Sequence, residues 1–527
     1  MRQIFKYSLF ITFSVLCSAL AAQHTFSKRF AEGHQNMWIN AVASTDSAYY
    51  AAGVYIDGSF NSFIYCFDLQ GNIIRRKNLR TPDSLSIDQT TRDFLPTNRG
   101  SFILGGRVFT NKTEGVLMEY FPAEDSIKTH LFYFDLPEYA DGFGGFARIK
   151  ATTDNQILIV ATMETATPGP DSDIALFQFD LDFNGIDTLL FVHPWDQTGG
   201  IAIKNDENII MANLTFGQWE YNYPRQIRVR DFASDGNLVN EYITPLDEQW
   251  SEPRDIIQTT DGGYLIGSAE GYFLNFPQGP TDSISIFVYR PHLMKLNAAL
   301  EREWIMPLGY DLPSGGAYIN INDIAPTNDG HYVVIGEAEK IPVGPDTSRT
   351  LGLIAKVSET GEKFWERELY WMDTIMHRHF LFDITNTTDG GYILGGQANG
   401  FVNGDITVAG QQAWLLKLDE YGCLVPGCQG PVSTDAAVPP DLIWEPLLYP
   451  NPASNLLSVY FPPWESYDDN IEVEIVDSNG RRLHYAKHLR PEATYLLDVS
   501  TWASGVYYLK CAVDGKVILP KQFLVQK

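Results

Sequence analysis

Two groups of side chains have types and spacings suited to binding a metal ion. The segment DLDFNGID carries oxygen-bearing side chains at alternate positions, as do loops that surround a hard cation such as calcium. Its residues of interest are Asp180, Asp182, Asn184, Gly185 and Asp187. His377 and His379 are two residues apart, so on a β-strand both would face the same side and could bind a metal.

Neither group completes a metal site. The acidic loop lacks the downstream glutamate of a calcium loop, and residues 182–185 align with a turn at residues 419–422 of a later repeat, so a plain hairpin is the preferred interpretation. No third ligand is evident in the sequence near the histidines, which we expect to be exposed or packed where a repeat unit begins. We therefore predict no metal and no other cofactor.

Nothing in the sequence matches a familiar catalytic motif. HExxH, GxSxG and phosphate-cradling loops are absent, and the turns do not follow the SxDxGxTW pattern of sialidase Asp-boxes. Pairs of carboxylates must occur among the 65 acidic residues, but the sequence does not show which of them converge. No catalytic residue is assigned.

Aromatic side chains are the best candidates for ligand binding. Flat rings can stack on sugar faces or anchor protein side chains, and nearby carboxylates can accept hydrogen bonds from hydroxyl or cationic groups. Any one of these rings could equally fill a gap between repeat units. The candidates are Trp195, Trp219, Tyr221, Tyr223, Trp250 and Trp371, with Asp196, Glu220 and Glu248 beside them.

A repeated turn indicates the elements that would position these rings. The sequence TTDGG followed by a β-rich run occurs in seven variants, spaced mostly in the fifties. Asp-Gly and Asn-Gly pairs favour the φ > 0 turns that join antiparallel strands. The variants begin at Ser44, Thr97, Thr152, Lys204, Thr259, Thr327 and Thr387.

A second turn follows in each unit after a further strand, so one unit is four antiparallel strands in about 56 residues, as in a propeller blade. We predict an all-β chain with a seven-bladed β-propeller at residues 23–428; a linear solenoid is the alternative. The last unit lacks its fourth strand, and HTFSKRF near the N-terminus resembles the fourth-strand segment KFWEREL. Residues 25–30 should therefore pair with the strand at 411–419 and close the ring, which removes exposed sheet edges.

Long insertions fall on one face of the predicted propeller. In a four-stranded blade the two tight turns share one face, whereas the middle loop and the connection between blades share the other. Insertions such as residues 216–226 and 370–379 lie on that second face. Long loops on a rigid scaffold commonly carry recognition, so we expect the aromatic candidates to act there.

The composition excludes one class of partner. A formal charge of −27 and a pI near 4.7 would repel nucleic-acid phosphates, and the sequence has no compensating Lys/Arg cluster. Aromatic residues at 13%, with 43 Gly and 29 Pro, suit many short strands joined by turns.

The N-terminus has the pattern of a secretory signal peptide at residues 1–22. Arg2 and Lys6 precede an apolar run that is shorter than the ~20 residues needed to span a bilayer. A lipid anchor at Cys17 is the alternative, with poor flanking residues. No later segment is apolar enough to span, so we predict an exported protein without a membrane span in the mature chain.

The cysteines fit an oxidising compartment. Cys423 and Cys428 lie in GCLVPGC, where Pro and Gly can fold the chain back to form a disulfide. A zinc half-site is the alternative, and it would need a second ligand pair. We expect Cys66 and Cys511 to be buried and unpaired.

A linker rich in Pro and small residues, predicted at 429–446, precedes a segment with strand and hairpin patterns at 447–527, which we predict to be a small Ig-like β-sandwich. This segment resembles the C-terminal sorting domain of the type IX secretion system. The residues that carry the resemblance are Tyr449, Pro450, Asn451, Pro452 and Ala453, then residues 477–480, then Gly505, Val506, Tyr507 and Tyr508.

The resemblance implies the route and the destination of the protein. After export by the signal peptide, the type IX translocon and sortase machinery would recognise the sorting domain, and the remainder would be anchored at the outer-membrane surface or released. The leading hypothesis is a binding protein for a glycan or protein ligand. An extracellular hydrolase or lyase and a structural surface component are the alternatives.

Overall fold

The structure is a computed structural model, and every regular element in its described part is a β-strand. It describes residues 24–31, 36–109, 113–132, 142–152, 156–164, 172–184, 187–192, 196–204, 208–216, 225–234, 236–277, 283–309, 319–340, 349–370, 378–399, 410–424, 446–449, 451–461, 471–477, 480–489, 494–513, 516–517 and 521–526. The predicted signal peptide and nearly all of the predicted linker lie outside these ranges. In the described part, no helix is long and apolar enough to cross a membrane.

The larger N-terminal part is a series of antiparallel meanders, in which most strands pair with the next strand of the chain. After β1 (Phe26–Phe30), the first meander comprises β2 (Asn36–Ser44), β3 (Tyr49–Ile56), β4 (Phe60–Phe67) and β5 (Ile73–Leu79). The second comprises β6 (Ile87–Gln89), β7 (Leu95–Pro96), β8 (Phe102–Phe109), β9 (Thr113–Phe121) and β10 (Ser126–Phe132). The third comprises β11 (Gly142–Ala151), β12 (Ile157–Glu164), β13 (Ser172–Phe179) and β14 (Asp187–Val192).

The same arrangement continues along the chain to Leu418. The next two meanders comprise β15 (Asp196–Ile203), β16 (Ile209–Phe216), β17 (Arg225–Phe232) and β18 (Leu238–Ile243), then β19 (Gln249–Trp250), β20 (Asp255–Gln258), β21 (Tyr264–Pro277), β22 (Ser283–Leu296) and β23 (Arg302–Pro307). The last two comprise β24 (Ile321–Pro326), β25 (Tyr332–Lys340), β26 (Arg349–Val357) and β27 (Lys363–Leu369), then β28 (Arg378–Asn386), β29 (Tyr392–Asn399) and β30 (Gln411–Leu418).

Strand β1 completes the last of these meanders. It pairs antiparallel with β30, from Phe26 opposite Lys417 to Phe30 opposite Ala413. Phe26 is buried in a core cluster that also contains residues of β2, β3 and β4. The predicted pairing of residues 25–30 with the strand at 411–419 is therefore present, and it covers the edge of β30.

The first strands of successive meanders are neighbours in space. Strand β28 contacts both β2 and β24, and contacts continue from β24 to β20, from β20 to β15 and from β15 to β11. Between the first and second meanders, the side-chain amide of Asn40 donates to the carbonyl oxygen of Gln89 at 2.7 Å. The first strands consequently surround a common centre, while the later strands of each meander lie farther out.

The repeated turn folds in the same way wherever it is spelled TTDGG. In the turn from Thr259, the amide of Gly262 donates to the Thr259 carbonyl at 2.9 Å, and Gly262 has φ of 84°, a conformation that glycine adopts without strain. The carboxylate of Asp261 accepts the amide of Gly263 at 2.9 Å. The turn from Thr387 repeats this geometry, with Gly390 at φ of 85°.

The turn aspartate also pairs with a lysine on the second strand after the turn. Lys295 Nζ lies 2.8 Å from Asp261 Oδ2, and Lys417 Nζ lies 3.0 Å from Asp389 Oδ1. In the second meander the charges are exchanged: Arg99 stands at the position of the turn aspartate, and Glu119, 4.0 Å away, stands at the position of the lysine. In the fourth meander, Lys204 opens the turn and pairs with Asp231 at 2.9 Å. In each of these meanders opposite charges therefore join the repeated turn to the second strand after it.

The C-terminal part forms two antiparallel sheets that share one hydrophobic core. The first sheet comprises β31 (Leu447–Tyr449), β32 (Leu456–Tyr460) and β35 (Thr494–Asp498). The second comprises β33 (Ile471–Asp477), β34 (Arg482–Leu489), β36 (Gly505–Val513), β37 (Lys516–Val517) and β38 (Lys521–Val525). Buried residues of both sheets, including Leu457 and Val473, belong to the same core cluster.

The ion pair in the last meander predicts an asymmetric response to mutation. Lys417 has no exposed side-chain surface, and burial lowers its pKa, whereas the Asp389 side chain is 37% exposed. Asp389→Ala leaves a buried ammonium without its partner and should cost about 3–5 kcal/mol, while Lys417→Met leaves a hydrated carboxylate and should cost about 1 kcal/mol. Denaturant unfolding of the two variants measures the difference.

Asp389→Asn is the matched control for this prediction. Its side-chain oxygen can still accept from Gly391, as Asp389 does at 3.2 Å, so it isolates the loss of charge and should fall between the other two variants. A Lys417→Met variant as unstable as Asp389→Ala would contradict the argument from burial.

Candidate ligand site at the centre of the meanders

A buried arginine occupies the centre that the first strands surround. Arg148, on β11, has a side chain that is 2% exposed. Its Nη1 lies 3.3 Å from Asp323 Oδ1 and 3.5 Å from Asp93 Oδ1, and its Nη2 lies 3.7 Å from Asp255 Oδ1. One guanidinium thus contacts carboxylates from three other meanders.

Backbone carbonyls satisfy the remaining donors of this arginine. Nε and Nη2 of Arg148 donate to the carbonyl oxygen of Arg254 at 3.1 and 2.8 Å, and Nη2 also donates to the carbonyl oxygen of Asn322 at 2.7 Å. A planar guanidinium with five fixed donors suits a site with several acceptors in different directions.

The central carboxylates also join each meander to the next. In four places an aspartate accepts a hydrogen bond from a backbone amide on the first strand of the following meander; three of these aspartates lie on β20, β24 and β28, and Asp93 lies between β6 and β7. The pairs are Asp93 with Ile149 at 2.9 Å, Asp255 with Ile324 at 3.1 Å, Asp323 with Ile384 at 3.0 Å, and Asp383 with Val42 at 2.5 Å. The last pair links the final meander to the first.

Burial controls the protonation of this centre. It raises the pKa of Asp255 to about 7, although Arg148 and Lys150 favour the charged form. Burial, together with the neighbouring Asp323, raises the pKa of Asp383 well above its usual range. For Arg148 burial opposes the charge, but the surrounding aspartates prevail and raise its pKa. The arginine therefore stays charged while part of the carboxylate cluster stays protonated near neutral pH.

Sequence reasoning did not select these aspartates. Each of Asp93, Asp255, Asp323 and Asp383 stands four residues before the threonine that opens the repeated turn, and Arg148 has the same offset from Thr152. The recurring offset is visible in the repeat alignment and could have shown that these side chains occupy one layer of the structure.

A cavity of about 410 Å³ lies beside this cluster. Its lining includes Arg225 and Arg378, the first residues of β17 and β28, and Asn399, the last residue of β29. These strand ends are opposite the repeated turns. The cavity therefore opens on the face where the sequence places the long loops, and its volume is typical of small-ligand sites.

Several polar groups of the cavity lack a partner within the described part of the chain. Asn320 is 6% exposed, and its amide nitrogen donates to the Glu252 carbonyl at 2.7 Å, which leaves Oδ1 as the free acceptor. Asn399 Oδ1 and Arg254 Nε are likewise buried without a hydrogen-bond partner. Unpaired buried groups are costly, so a bound ligand that supplied complementary groups would gain affinity here.

Charged groups in the cavity are incompletely neutralised. Arg254 pairs with Glu252 at 3.1 Å, but Arg92 bonds only to the neutral amide oxygen of Asn322, at 3.2 Å, among the described residues. Burial, aided by the nearby cations Arg254 and Arg148, lowers the pKa of Arg92 to about 9. Burial raises the pKa of Glu337 to about 8, so its carboxyl is mainly protonated at neutral pH.

The aromatic candidates from the sequence do not line this cavity in the described structure. Trp195, Trp219, Tyr221, Tyr223 and Trp371 lie outside the described residues. Trp250 is fully buried in a core cluster, and its indole N–H donates to Glu248 at 3.0 Å, so it is a packing residue and has no surface for stacking. Glu248 in turn accepts from Arg302 at 2.8 Å.

The two groups weighed as metal ligands have ordinary structural contacts. Asp180 accepts the amides of Asp182 and Asn184 at 2.9 and 2.8 Å, within the turn that follows β13. His379 is buried, with Nδ1 3.1 Å from the Thr350 carbonyl, and His377 lies outside the described residues. Within the described part of the chain, no three potential ligands converge on a metal position.

Cys423 is disulfide-bonded, and its predicted partner Cys428 lies outside the described residues. Cys66 and Cys511 are free and buried.

The predicted sorting residues hold the two ends of the C-terminal part together. Asn451 Oδ1 accepts the amide of Leu524 at 2.7 Å, and the amide of Ala453 donates to the Leu524 carbonyl, also at 2.7 Å. Tyr507 donates from its hydroxyl to the Ala503 carbonyl at 2.7 Å. Tyr449 ends β31 and Gly505 begins β36, Pro452 follows Asn451 in the described chain, and Pro450 lies outside it.

Comparison with known families identifies the C-terminal part. Residues 447–526 match the family model of the secretion system C-terminal sorting domain, which confirms the type IX sorting domain inferred from the sequence. The larger N-terminal region that precedes residue 447 lies outside this match. Among curated proteins, none matches the sequence.

Solved structures with partial similarity are enzymes of several kinds. The α-L-arabinofuranosidase Arb93A from Fusarium graminearum has 9% identity and a TM-score of 0.41, covering 65% of this chain and 97% of that one. The mannose phosphorylase MPT-4 from Leishmania mexicana has 10% identity and a TM-score of 0.31, covering 53% and 90%. The gluconolactonase XC5397 from Xanthomonas campestris has 9% identity and a TM-score of 0.33, covering 76% and 92%. TM-scores this low transfer no activity to this chain.

Removing the central arginine should strongly destabilise the N-terminal part. Arg148→Met leaves Asp255 and Asp323 without their ion-pair partner, while Asp93 keeps Lys150 at 2.9 Å, and it should cost about 3–5 kcal/mol. Arg481→Met is the control, because that side chain is 75% exposed and its loss should cost less than about 0.5 kcal/mol. Thermal unfolding followed by tryptophan fluorescence compares them, and equal midpoints for the two variants would refute the structural role of Arg148.

Proposed function

We propose that this chain, which carries a type IX secretion sorting domain at residues 447–526, is an exported binding protein whose N-terminal part is a seven-bladed β-propeller with a ligand site at its centre. The family match indicates export to the cell surface or the extracellular space, and it implies interaction with the secretion machinery. The binding activity rests on the central cavity.

The propeller proposal is supported by the arrangement of the meanders. Their first strands contact one another around a common centre, aspartates bond from one meander to the next, and β1 supplies the outer strand of the last meander. Closing a set of small sheets into a ring in this way protects their edges. For the C-terminal part, two sheets around one core support a small β-sandwich.

The observation that carries the binding proposal is the unpartnered oxygen of Asn320 in a cavity of about 410 Å³. In an open cavity this buried acceptor is available to a ligand that supplies a hydrogen-bond donor. The long loops that carry the remaining aromatic candidates are predicted on the face where the cavity opens, and they would extend the contact with a larger glycan or protein.

An extracellular hydrolase or lyase is the second candidate, and Glu337 is the observation in its favour. This glutamate lines the cavity and its carboxyl holds a proton at neutral pH because burial disfavours its charged form. A protonated carboxyl can act as a general acid toward a bound substrate. The test is to offer a polymer and measure the release of reducing sugar or peptide. Release that is lost in the Glu337→Gln variant would show that the protein is an enzyme.

The delivery proposal predicts that loss of the sorting domain traps the protein. Deletion of residues 447–527 should leave the N-terminal part in the periplasm, because the translocon would no longer recognise it. Fractionation and immunoblotting measure the distribution, and a periplasmic marker controls for leakage. Unchanged secretion of the truncated chain would refute this route.

The binding proposal predicts that one cavity substitution abolishes ligand capture. Asn320→Leu removes the free acceptor and should weaken binding to glycan arrays or protein pull-downs at least tenfold. Asn386→Leu is the matched control. Asn386 also donates its amide to a carbonyl, that of Pro326 at 2.7 Å, but it ends β28, whereas the cavity lies at the other end of that strand, at Arg378. Equal binding by both variants would place any ligand outside the cavity.

A further inference from the structure

The cavity has an excess of cationic side chains in a strongly acidic protein. Four arginines line it, namely Arg92, Arg225, Arg254 and Arg378, against the two glutamates Glu252 and Glu337. Burial disfavours the charged form of Glu337 and raises its pKa, and Glu252 already pairs with Arg254. The chain as a whole carries a formal charge of −27, so this concentration of positive charge runs against its overall composition.

Two of the arginines form no direct ion pair with a carboxylate among the described residues, although Glu252 and Glu337 lie near enough to stabilise the charge of Arg92. Arg92 contacts a neutral amide oxygen and the ring of Phe382, with its guanidinium carbon 5.4 Å from the ring centroid. Arg378 is exposed at the start of β28 and forms no side-chain hydrogen bond or ion pair in the described part of the chain. A negatively charged group in the cavity would offset the repulsion of Arg92 by Arg254 and Arg148 and would give Arg378 an ion-pair partner.

The other groups of the cavity favour a sugar rather than a simple ion. The free oxygens of Asn320 and Asn399 need hydrogen-bond donors, which hydroxyl groups supply and which a bare carboxylate or sulfate lacks. Phe380 and Phe382 also line the cavity, with ring centroids 6.2 Å apart and planes inclined by 19°. Partly buried rings of this kind offer an apolar surface against which a sugar face can pack.

We infer that the cavity binds an anionic saccharide, with its carboxylate or sulfate held by Arg92 and Arg378 and its hydroxyl groups donating to Asn320 and Asn399. This inference rests on the proposed binding function and specifies the ligand class of the same site. Carboxylate and sulfate share the charge that the arginines recognise, and the planar guanidinium can bind either with two parallel hydrogen bonds.

Calorimetric titration of the full-length chain tests the inference with matched ligands. The probes are a galacturonic acid trimer, the same trimer with its carboxyl groups methyl-esterified, and a sulfated galactose trimer. We expect at least one of the two anionic trimers to bind, the esterified trimer to bind at least tenfold more weakly, and the affinity for the anionic ligand to fall as salt rises. The two anionic arms distinguish a uronate from a sulfated sugar.

Arg378→Gln is the decisive variant, because Arg378 is exposed and its loss should not affect folding. It should weaken binding of the anionic trimer at least tenfold, whereas Arg481→Gln, which removes the same charge from the C-terminal part, should leave affinity unchanged. Failure of both anionic trimers to bind, or equal affinity for the acidic and esterified trimers, overturns the inference.

A failure of the anionic specificity can be told apart from a failure of the proposed binding function. If a neutral ligand binds and Asn320→Leu abolishes that binding while Arg378→Gln does not, the binding site stands and its anionic specificity is wrong. If no captured ligand responds to Asn320→Leu, the proposed function itself fails.

Discussion

The N-terminal part depends on keeping one positive charge buried where its first strands meet. Arg148 can remain ionised there only because carboxylates from three other meanders and backbone carbonyls surround it. The carboxylates are in turn acceptable in the interior because they receive both the arginine and amides of the next meander. Charge compensation and the order of the sheets are therefore the same constraint: moving one meander would leave an ion without its partner.

This central cluster also shapes the cavity above it. The backbone around Arg254 and Asn322 is fixed by the donors of Arg148, and the side chains of those two residues lie on the cavity side. Hydrogen bonds below the cavity fix the backbone there, while the side chains above satisfy only part of one another's hydrogen-bonding groups. Paired structural charges therefore lie below the cavity, and unpaired polar atoms line it.

Local sequence predicted the periphery of the structure better than its centre. The TTDGG turns and the pairing of β1 with β30 follow from short-range turn chemistry and from the missing fourth strand, both of which are visible in the repeat. The central aspartates were missed because an acidic residue on a short strand looks exposed until several copies converge. Trp250 is the opposite case: a ring expected on the binding face is buried in the core, where Glu248 accepts its N–H. Which side of a strand a ring faces depends on tertiary packing, which the sequence around it did not show.

The ion pairs of the repeated turn show that residues in contact can be found by comparing the repeats of one chain. Units with an aspartate at the third position of the turn have a lysine on the second strand after it, and the unit with Arg99 at that turn position has Glu119 on that strand. Comparing repeats with one another therefore reveals spatial contacts in the manner of covarying positions. The same comparison, applied to the residue four positions before each turn, identifies the central layer.

Pairing between β1 and β30 joins residues that are far apart along the chain. Trp414 donates its indole N–H to Ser27 at 3.0 Å across a separation of 387 residues. During synthesis β1 emerges first and has no partner until β30, at the end of the N-terminal part, has also been made. Such long-range pairing costs loop-closure entropy before it gains contacts, so it should be among the last steps in folding of this part. The earlier meanders can fold as they are made, whereas the last one stays without its outer strand until synthesis has passed β30.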